Sequence, residues 1–399
     1  MTASPVTTTD AAVAATPYRD RHRRKYLFAL AVPLVPFLAG GLVAATGWSG
    51  FWWLGPILVF GIMPVLDRTL GSDHHNPPEE VAKDLDADRW YRYLTYAYLP
   101  LQFAGLVWAT RLWAQGDLSL FATAGLVVTV GMVAGIAINT AHELGHKHPT
   151  IEQWLAKVSL AQSLYGHFFI EHNRGHHQHV STPEDPASSR MGESFWTFLP
   201  RTVIGSLRSA IAIERTRSAR LGRSFFSVRN DILNAWAMTV VLFGALTAVF
   251  GWAVLPLLIA QGIIGFCMLE IVNYIEHYGL LRGKKANGRY ERCQPEHSWN
   301  AANVASNLVL YQLQRHSDHH ANPTRRYQTL RHFADAPQLP TGYAGMMLLA
   351  AIPPLWRRSM DPRVVAHYDG DLDRINMRPR KRSAIEARYG SPTTTVAAV

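Results

Sequence analysis

Apolar positions along the chain gather into six long runs, at about 27–47, 48–66, 94–113, 118–141, 232–250 and 252–275, separated by polar links. Each run is close to the ~20 residues that a helix needs to cross the hydrocarbon layer. A soluble core of this size is built from shorter apolar segments, so the pattern predicts an all-α integral membrane protein with six transmembrane helices. The link TGWSG is so short that the first two spans must form an antiparallel hairpin; spans three and four form a second, and spans five and six a third turning at Phe250 and Gly251. Pro33, Pro36, Pro56, Pro64, Pro100 and Pro256 predict kinks, tolerated because neighbouring helices can satisfy the freed carbonyls. Trp48, Trp52, Trp53, Trp108, Trp113 and Trp252 fall near span ends, as interfacial belt residues do. The shorter run 343–356 is interrupted, and is read as a helix on or dipping into one leaflet.

Charge supplies the orientation. A net charge of +10 would also suit a nucleic-acid binder, but six spans and the distribution of the charge argue against nucleic acid as a partner. Lys and Arg gather before the first span (Arg19, Arg21, Arg23, Arg24, Lys25), between spans two and three, through 142–231 and after span six, whereas the links near Trp48, Gly116 and Gly251 carry almost none. The positive-inside rule then places both termini and every large polar segment on the cytoplasmic side of the membrane, with the spans in contact with membrane lipid. The first run ends without an Ala-x-Ala site and is followed at once by a second, so it reads as a retained span. Residues 1–17 and 388–399 read as disordered tails around a single domain, 18–387. Cys267 and Cys293 can build neither a disulfide framework nor a four-cysteine iron site, so an electron carrier of that kind would be a separate chain.

Of eighteen histidines, half fall in four tight groups: HELGHK (His142, His146), EHNRGHH (His172, His176, His177), NYIEHYGL (His277) and LQRHSDHHANP (His316, His319, His320). Residues at i and i+3 or i+4 share a helix face, so His142/His146, His172/His176 and His316/His319/His320 can each aim at a common point. The adjacent His177 and His320 are turned by about 100°, suited to a neighbouring ion. Nine imidazoles are too many for one ion, and a pair of metals leaves each with four or five donors and an open position. The charge argument, which uses no histidine, independently puts all four groups on one side. Imidazole suits Fe, Zn, Cu and Ni alike, though paired ions with open positions favour redox chemistry on O₂ over hydrolysis.

Glu171, Glu276 and Asp318, beside the histidines, are candidates for orienting the rings, with exposed acids as the alternative. Glu270, seven residues before His277 and within a span, either bonds a ligand or the pocket, or ties helix to helix. His148, His167, His179 and His297 read as surface or supporting residues, and His74/His75 as a decoy in a Pro-containing loop without helical spacing.

Together these motifs, with NPPEE at 76–80, GHFFIEHN at 166–173, DPASSRMGES at 185–194 and HSWN at 297–300, resemble the integral-membrane alkane 1-monooxygenase family, part of the histidine-box desaturase and hydroxylase superfamily. The resemblance runs over nearly the whole chain. It implies a cytoplasmic helical cap carrying two non-haem iron ions held by the nine histidines, over a hydrophobic channel. It also implies O₂-dependent hydroxylation of the terminal carbon of medium-to-long n-alkanes, with electrons from a separate rubredoxin and its NADH-dependent reductase. Val59, Ile62 and Leu66 on span two either set the depth of that channel or simply pack. Arg215, Arg217, Arg220 and Arg223 either dock an acidic carrier or only obey the positive-inside rule. A membrane fatty-acyl desaturase or another histidine-box hydroxylase is the alternative enzyme. A histidine-rich metal transporter would need ligands near the bilayer midplane.

Overall fold

The computed structural model describes residues 18–390. Among them the structure is helical, and β pairing is limited to isolated bridges such as Ser72 with Asn303. The labelled helices are α1 (Lys25–Thr46), α2 (Ser49–Leu70), α3 (Arg89–Gln115), α4 (Leu120–Gly145), α5 (Thr150–Leu160), α6 (Phe195–Arg220), α7 (Asp231–Phe250), α8 (Trp252–Glu276), α9 (His316–Ala321), α10 (Tyr343–Ala351) and α11 (Pro353–His367). Five of these, α1, α2, α4, α7 and α8, are long and apolar enough to cross a membrane, and their ends fall within a few residues of the expected spans. The expected span 94–113 lies inside α3, which has the length but carries Arg92, Gln102 and Arg111 among its apolar residues. The domain boundary expected at 387 falls inside a short helix, Arg382–Tyr389; the tail 1–17 and the residues beyond 390 lie outside the described part.

Caps explain where the helices start. Asp88 accepts from Trp90 N at 2.9 Å, Asn230 accepts from Ile232 N and Leu233 N, and Ser194 and Thr197 form a reciprocal capping box. Gly47, Gly116 and Gly251 take positive φ at the three hairpin turns, as a left-handed helix exit requires.

The centre of the fold is the pair α4 and α8. A Cβ at Gly131 would meet Ile264 Cβ at 2.6 Å, and one at Gly135 would meet Met268 Cβ at 2.6 Å, so these glycines permit an approach no larger residue allows. In α2 the backbone passes from 3₁₀ to α to π winding around Pro56. Proline cannot donate to Trp52 O four residues back; the Thr129 hydroxyl of α4 donates to it at 2.7 Å and accepts from Gly55 N at 3.0 Å. The aromatic belt is only partial: Trp48 and Trp252 are exposed, whereas Trp52 is buried and packs on Trp108. The run 343–356 is not one helix. It breaks at Ile352 into α10 and α11, whose buried Tyr343, Met346 and Trp356 pack on Tyr274 and Tyr278 at the end of α8.

Candidate metal centre

All nine grouped histidines converge at one end of α4 and α8. They come from α4 and the residue after it, a helical segment at 168–179, the residue after α8, and α9. They divide into two sets, His142, His146, His172, His177 and His319, and His176, His277, His316 and His320, and within each set the facing ligand atoms lie within 4.8 Å of one another. Nε2 atoms meet directly: His142 and His319 at 2.9 Å, His177 and His319 at 3.1 Å, His172 and His177 at 3.2 Å in the first set; His316 and His320 at 2.9 Å, His277 and His316 at 3.2 Å in the second. The sets adjoin, with the His177 and His320 rings stacked at 4.4 Å.

The division corrects the simple helix-face argument. His172 and His176, four apart, do not share a set; His172 and His177, five apart, do. The reason is a π turn over His172–His176, whose wider winding brings i and i+5 together and sends His176 the other way. Gly175 allows it, since a Cβ there would sit 2.9 Å from Glu171 Oε1 and 3.0 Å from Ile213 Cδ1. In α9, His316 and His320 share a set as an i, i+4 pair, and His319 crosses to the other.

The donor set fits metal ions. Burial holds His172, His177, His316, His319 and His320 well below the ordinary imidazole range, and neighbouring imidazoles push them further down, so the rings are neutral. His176 Nδ1 is paired with Asp185 Oδ2 at 2.8 Å, which leaves its buried Nε2 as a bare acceptor with no protein partner; His146 Nε2 is likewise buried and unpartnered. Converging lone pairs in a dry site repel unless a cation lies between them. Contacts of 2.9–3.2 Å also match the ~3 Å between neighbouring donors around an ion whose metal–nitrogen bonds are about 2.1 Å.

The supporting carboxylates divide. Glu276 lies against the second set, its Oε2 3.2 Å from His316 Nε2 and its Oε1 accepting from Tyr343 OH at 2.7 Å. Glu171 is buried beside the π turn but bonds none of the nine rings. Asp318 holds Asn322, Arg325 and Arg331 N, and so fixes the chain around α9 without touching a histidine. Glu270 accepts from Tyr165, Thr202 and Asn273, tying helices together. Asp185, which sequence reasoning left unassigned within DPASSRMGES, is the carboxylate on His176, itself held by Ser188 Oγ and Ala187 N. Its signal was the Asp-Pro turn a few residues after the second histidine group. His74 and His75 stay apart from the sets, His75 on Asp73 and His74 against His332. His148, His167 and His179 also stay outside, and the buried His297 groups with Glu291 and Glu296 while its carbonyl lies 3.4 Å from His277 Nδ1.

Beside both sets is an apolar pocket of about 50 Å³, walled by Phe168, Met268, Val272 and Leu313 and bordered by His142, His172, His316 and Glu276. Ile136 also lines a second, larger cavity of about 510 Å³ between α1, α2 and α4, almost wholly apolar. Val59, Ile62 and Leu66 are on the wall of that larger cavity.

Helices long and apolar enough to cross a membrane, two sets of histidines able to hold metal and an apolar pocket at their face fit a membrane metalloenzyme of the histidine-box class. Known proteins agree. The fatty acid desaturase family model matches residues 118–350. The chain is 46% identical over 385 residues to alkane 1-monooxygenase 1 of Alcanivorax borkumensis, covering 95% of each chain, and 46% identical over 383 residues to alkane 1-monooxygenase of Acinetobacter baylyi, covering 94% of each. A more distant relative, the xylene/toluene monooxygenase hydroxylase component XylM of Pseudomonas putida, is 28% identical over 81% of this chain and 85% of its own. The chain belongs to the alkane 1-monooxygenase family.

Proposed function

We propose that this protein hydroxylates the terminal carbon of medium-to-long n-alkanes with O₂, using two non-haem irons, one held by each histidine set. The observation that carries the reading is the contact between both sets and the apolar pocket of about 50 Å³, with Ile136 common to that pocket and the larger cavity. Electrons come from rubredoxin and its NADH-dependent reductase. When bound, the irons supply the activation of O₂ that breaking a strong alkyl C–H bond demands.

The chain's own residues do the rest. Alkanes collect in the bilayer, since each CH₂ removed from water gains about 0.8 kcal/mol. The cavity walled by Val59, Ile62 and Leu66 receives the alkyl chain. Phe168, Met268 and Leu313 admit only a chain end to the histidines and exclude water. Asp185 holds the proton of His176 on Nδ1 and so keeps Nε2 free for metal, while Glu276 presents an oxygen at the second set. We read α3 as a sixth span, with the metal centre and both termini on the cytoplasmic side of the inner membrane, from the charge distribution. Arg215, Arg220 and Arg223 remain exposed for a carrier, whereas Arg217 is half-buried on Glu214 at 2.6 Å.

The test is incubation of membranes bearing this protein with octane or hexadecane, rubredoxin, its reductase and NADH. The expected product is the 1-alkanol; an alkene without alcohol would establish the desaturase alternative, and absence of any oxidised product overturns both.

A further inference from the structure

The first histidine set has a second neighbour that the proposed reaction does not use. Tyr311 borders a small cavity of about 10 Å³ together with His142 and His319. From there a line of phenol rings leads away: Tyr311 to Tyr327 at 5.0 Å between ring centres, Tyr327 to Tyr26 at 5.0 Å, and both Tyr327 and Tyr26 to Tyr91 at 5.8 and 5.9 Å. All four rings are buried, none more than 3% exposed. The line ends where Tyr91 OH donates to Asp20 Oδ2 at 2.5 Å, beneath the exposed Arg23 side chain that covers the Tyr91 and Trp90 rings.

Ordinary packing does not explain this arrangement. Four buried phenols bring hydroxyls into the core where phenylalanine would bring none, and a buried hydroxyl is costly without a partner. Backbone strain is also spent on it. Tyr311 and Gln312 take φ of 50° and 59°, a left-handed pair with no glycine, which places the Tyr311 ring at the inner end and lets Gln312 Nε2 donate to Tyr26 OH at 2.6 Å.

We propose that Tyr311, Tyr327, Tyr26 and Tyr91 form a hopping chain that carries oxidising equivalents away from the metal centre when O₂ has been activated and no alkane is present. The proposal rests on the iron- and O₂-dependent reading above. A phenol gives up an electron to a strong oxidant but does not accept one from a weak reductant, so the chain does not compete with electron delivery from a carrier. In each event Tyr91 loses one electron, which passes inward to Tyr327, directly or by way of Tyr26, then through Tyr311, and reduces the oxidised centre by one. Its phenolic proton moves to Asp20 Oδ2, leaving a neutral tyrosyl radical. A soluble thiolate then returns one electron and Asp20 returns the proton; two such events oxidise two thiolates to one disulfide. The chain thereby spares the nine imidazoles, the nearest oxidisable groups.

The experiment uses the full-length, iron-loaded, reduced protein, mixed with O₂ in the absence of alkane and frozen at intervals, with iron content and O₂ consumption measured in the same samples. The expected result is an electron paramagnetic resonance signal of a tyrosyl radical whose hyperfine structure changes when the tyrosines are ring-deuterated. Asp20→Asn, a change at the partly exposed end alone, should lose the long-lived radical at unchanged iron content. Tyr327→Phe should lose the Tyr91 radical, and peptide mass spectrometry should find oxygen added to the ligand histidines several-fold faster than in the unmodified protein. Full iron content and O₂ consumption with no tyrosyl radical, or a radical and a histidine-oxidation rate unaffected by Tyr327→Phe, overturns the chain as a conduit and leaves it as packing. A protein that neither holds iron nor consumes O₂ overturns the proposed function, and the chain with it.

Discussion

The histidine centre and the apolar cavity between α1, α2 and α4 are built on opposite principles. In the centre side chains are fixed by burial and directed bonds: His319 is 2% exposed, and His176 is held by Asp185, which is held in turn by Ser188 and Ala187. In the cavity Ile62 is 42% and Leu66 37% exposed, and the walls are aliphatic groups that hold nothing by a directed bond. Directional chemistry demands fixed donors, whereas recognition of an alkane rests on shape and apolar area alone. The difference separates what sets whether the reaction occurs from what sets which chain enters.

That contrast is breakable by substitution. The largest effect should come from His319→Ala, which removes a donor contacting both His142 and His177: hydroxylation falls to background and bound metal drops, measured by metal analysis of the purified protein. Chelation of the intact protein should do the same and lower its thermal midpoint, because the neutral rings lose the cation between them. Retained activity in either case would dissolve the distinction. Asp185→Asn is expected to cost roughly 10- to 100-fold in activity or metal affinity while leaving the cavity intact, since it loosens His176 without removing it.

Thr129→Val tests the scaffold that joins the two regions. Loss of the hydroxyl leaves Trp52 O and Gly55 N unpaired in α2, an expected cost of about 1–3 kcal/mol in stability with metal content unchanged, read by thermal unfolding in detergent. The smallest effect on chemistry and the clearest on choice should come from Ile62→Trp. Filling the cavity should shorten the longest alkane accepted and spare octane turnover, measured as the octane-to-hexadecane product ratio. An equal fall for both substrates would mean that the cavity does not select.

The spans were legible because a run of about 20 apolar residues has few alternatives, and five long helices fall where the runs lie. That nine histidines gather in space was legible because their spacing is dense and local, and His74 and His75, which lacked it, stand apart from them. The partition was not. Helical spacing puts His172 with His176, and only the π turn, sustained by Gly175 against Glu171 and Ile213, separates them. Sequence neighbourhood was a mixed guide to the carboxylates: Glu276, next to His277, lies against His316, but Asp318, next to His319, turns to Arg325, and Asp185, nine residues from His176, reaches it across a turn.

Local spacing along the chain determined by itself that this is a helical membrane protein with imidazoles enough for two ions at one face, because hydrophobic length and histidine density act within a few residues. The tertiary structure alone decided which imidazoles gather in each set, which carboxylate steadies His176 and that the two apolar cavities share Ile136 in their linings. Those outcomes depend on helix winding and on contacts between segments more than a hundred residues apart, such as His142 with His319, and pairing at that range is set by packing of the whole fold.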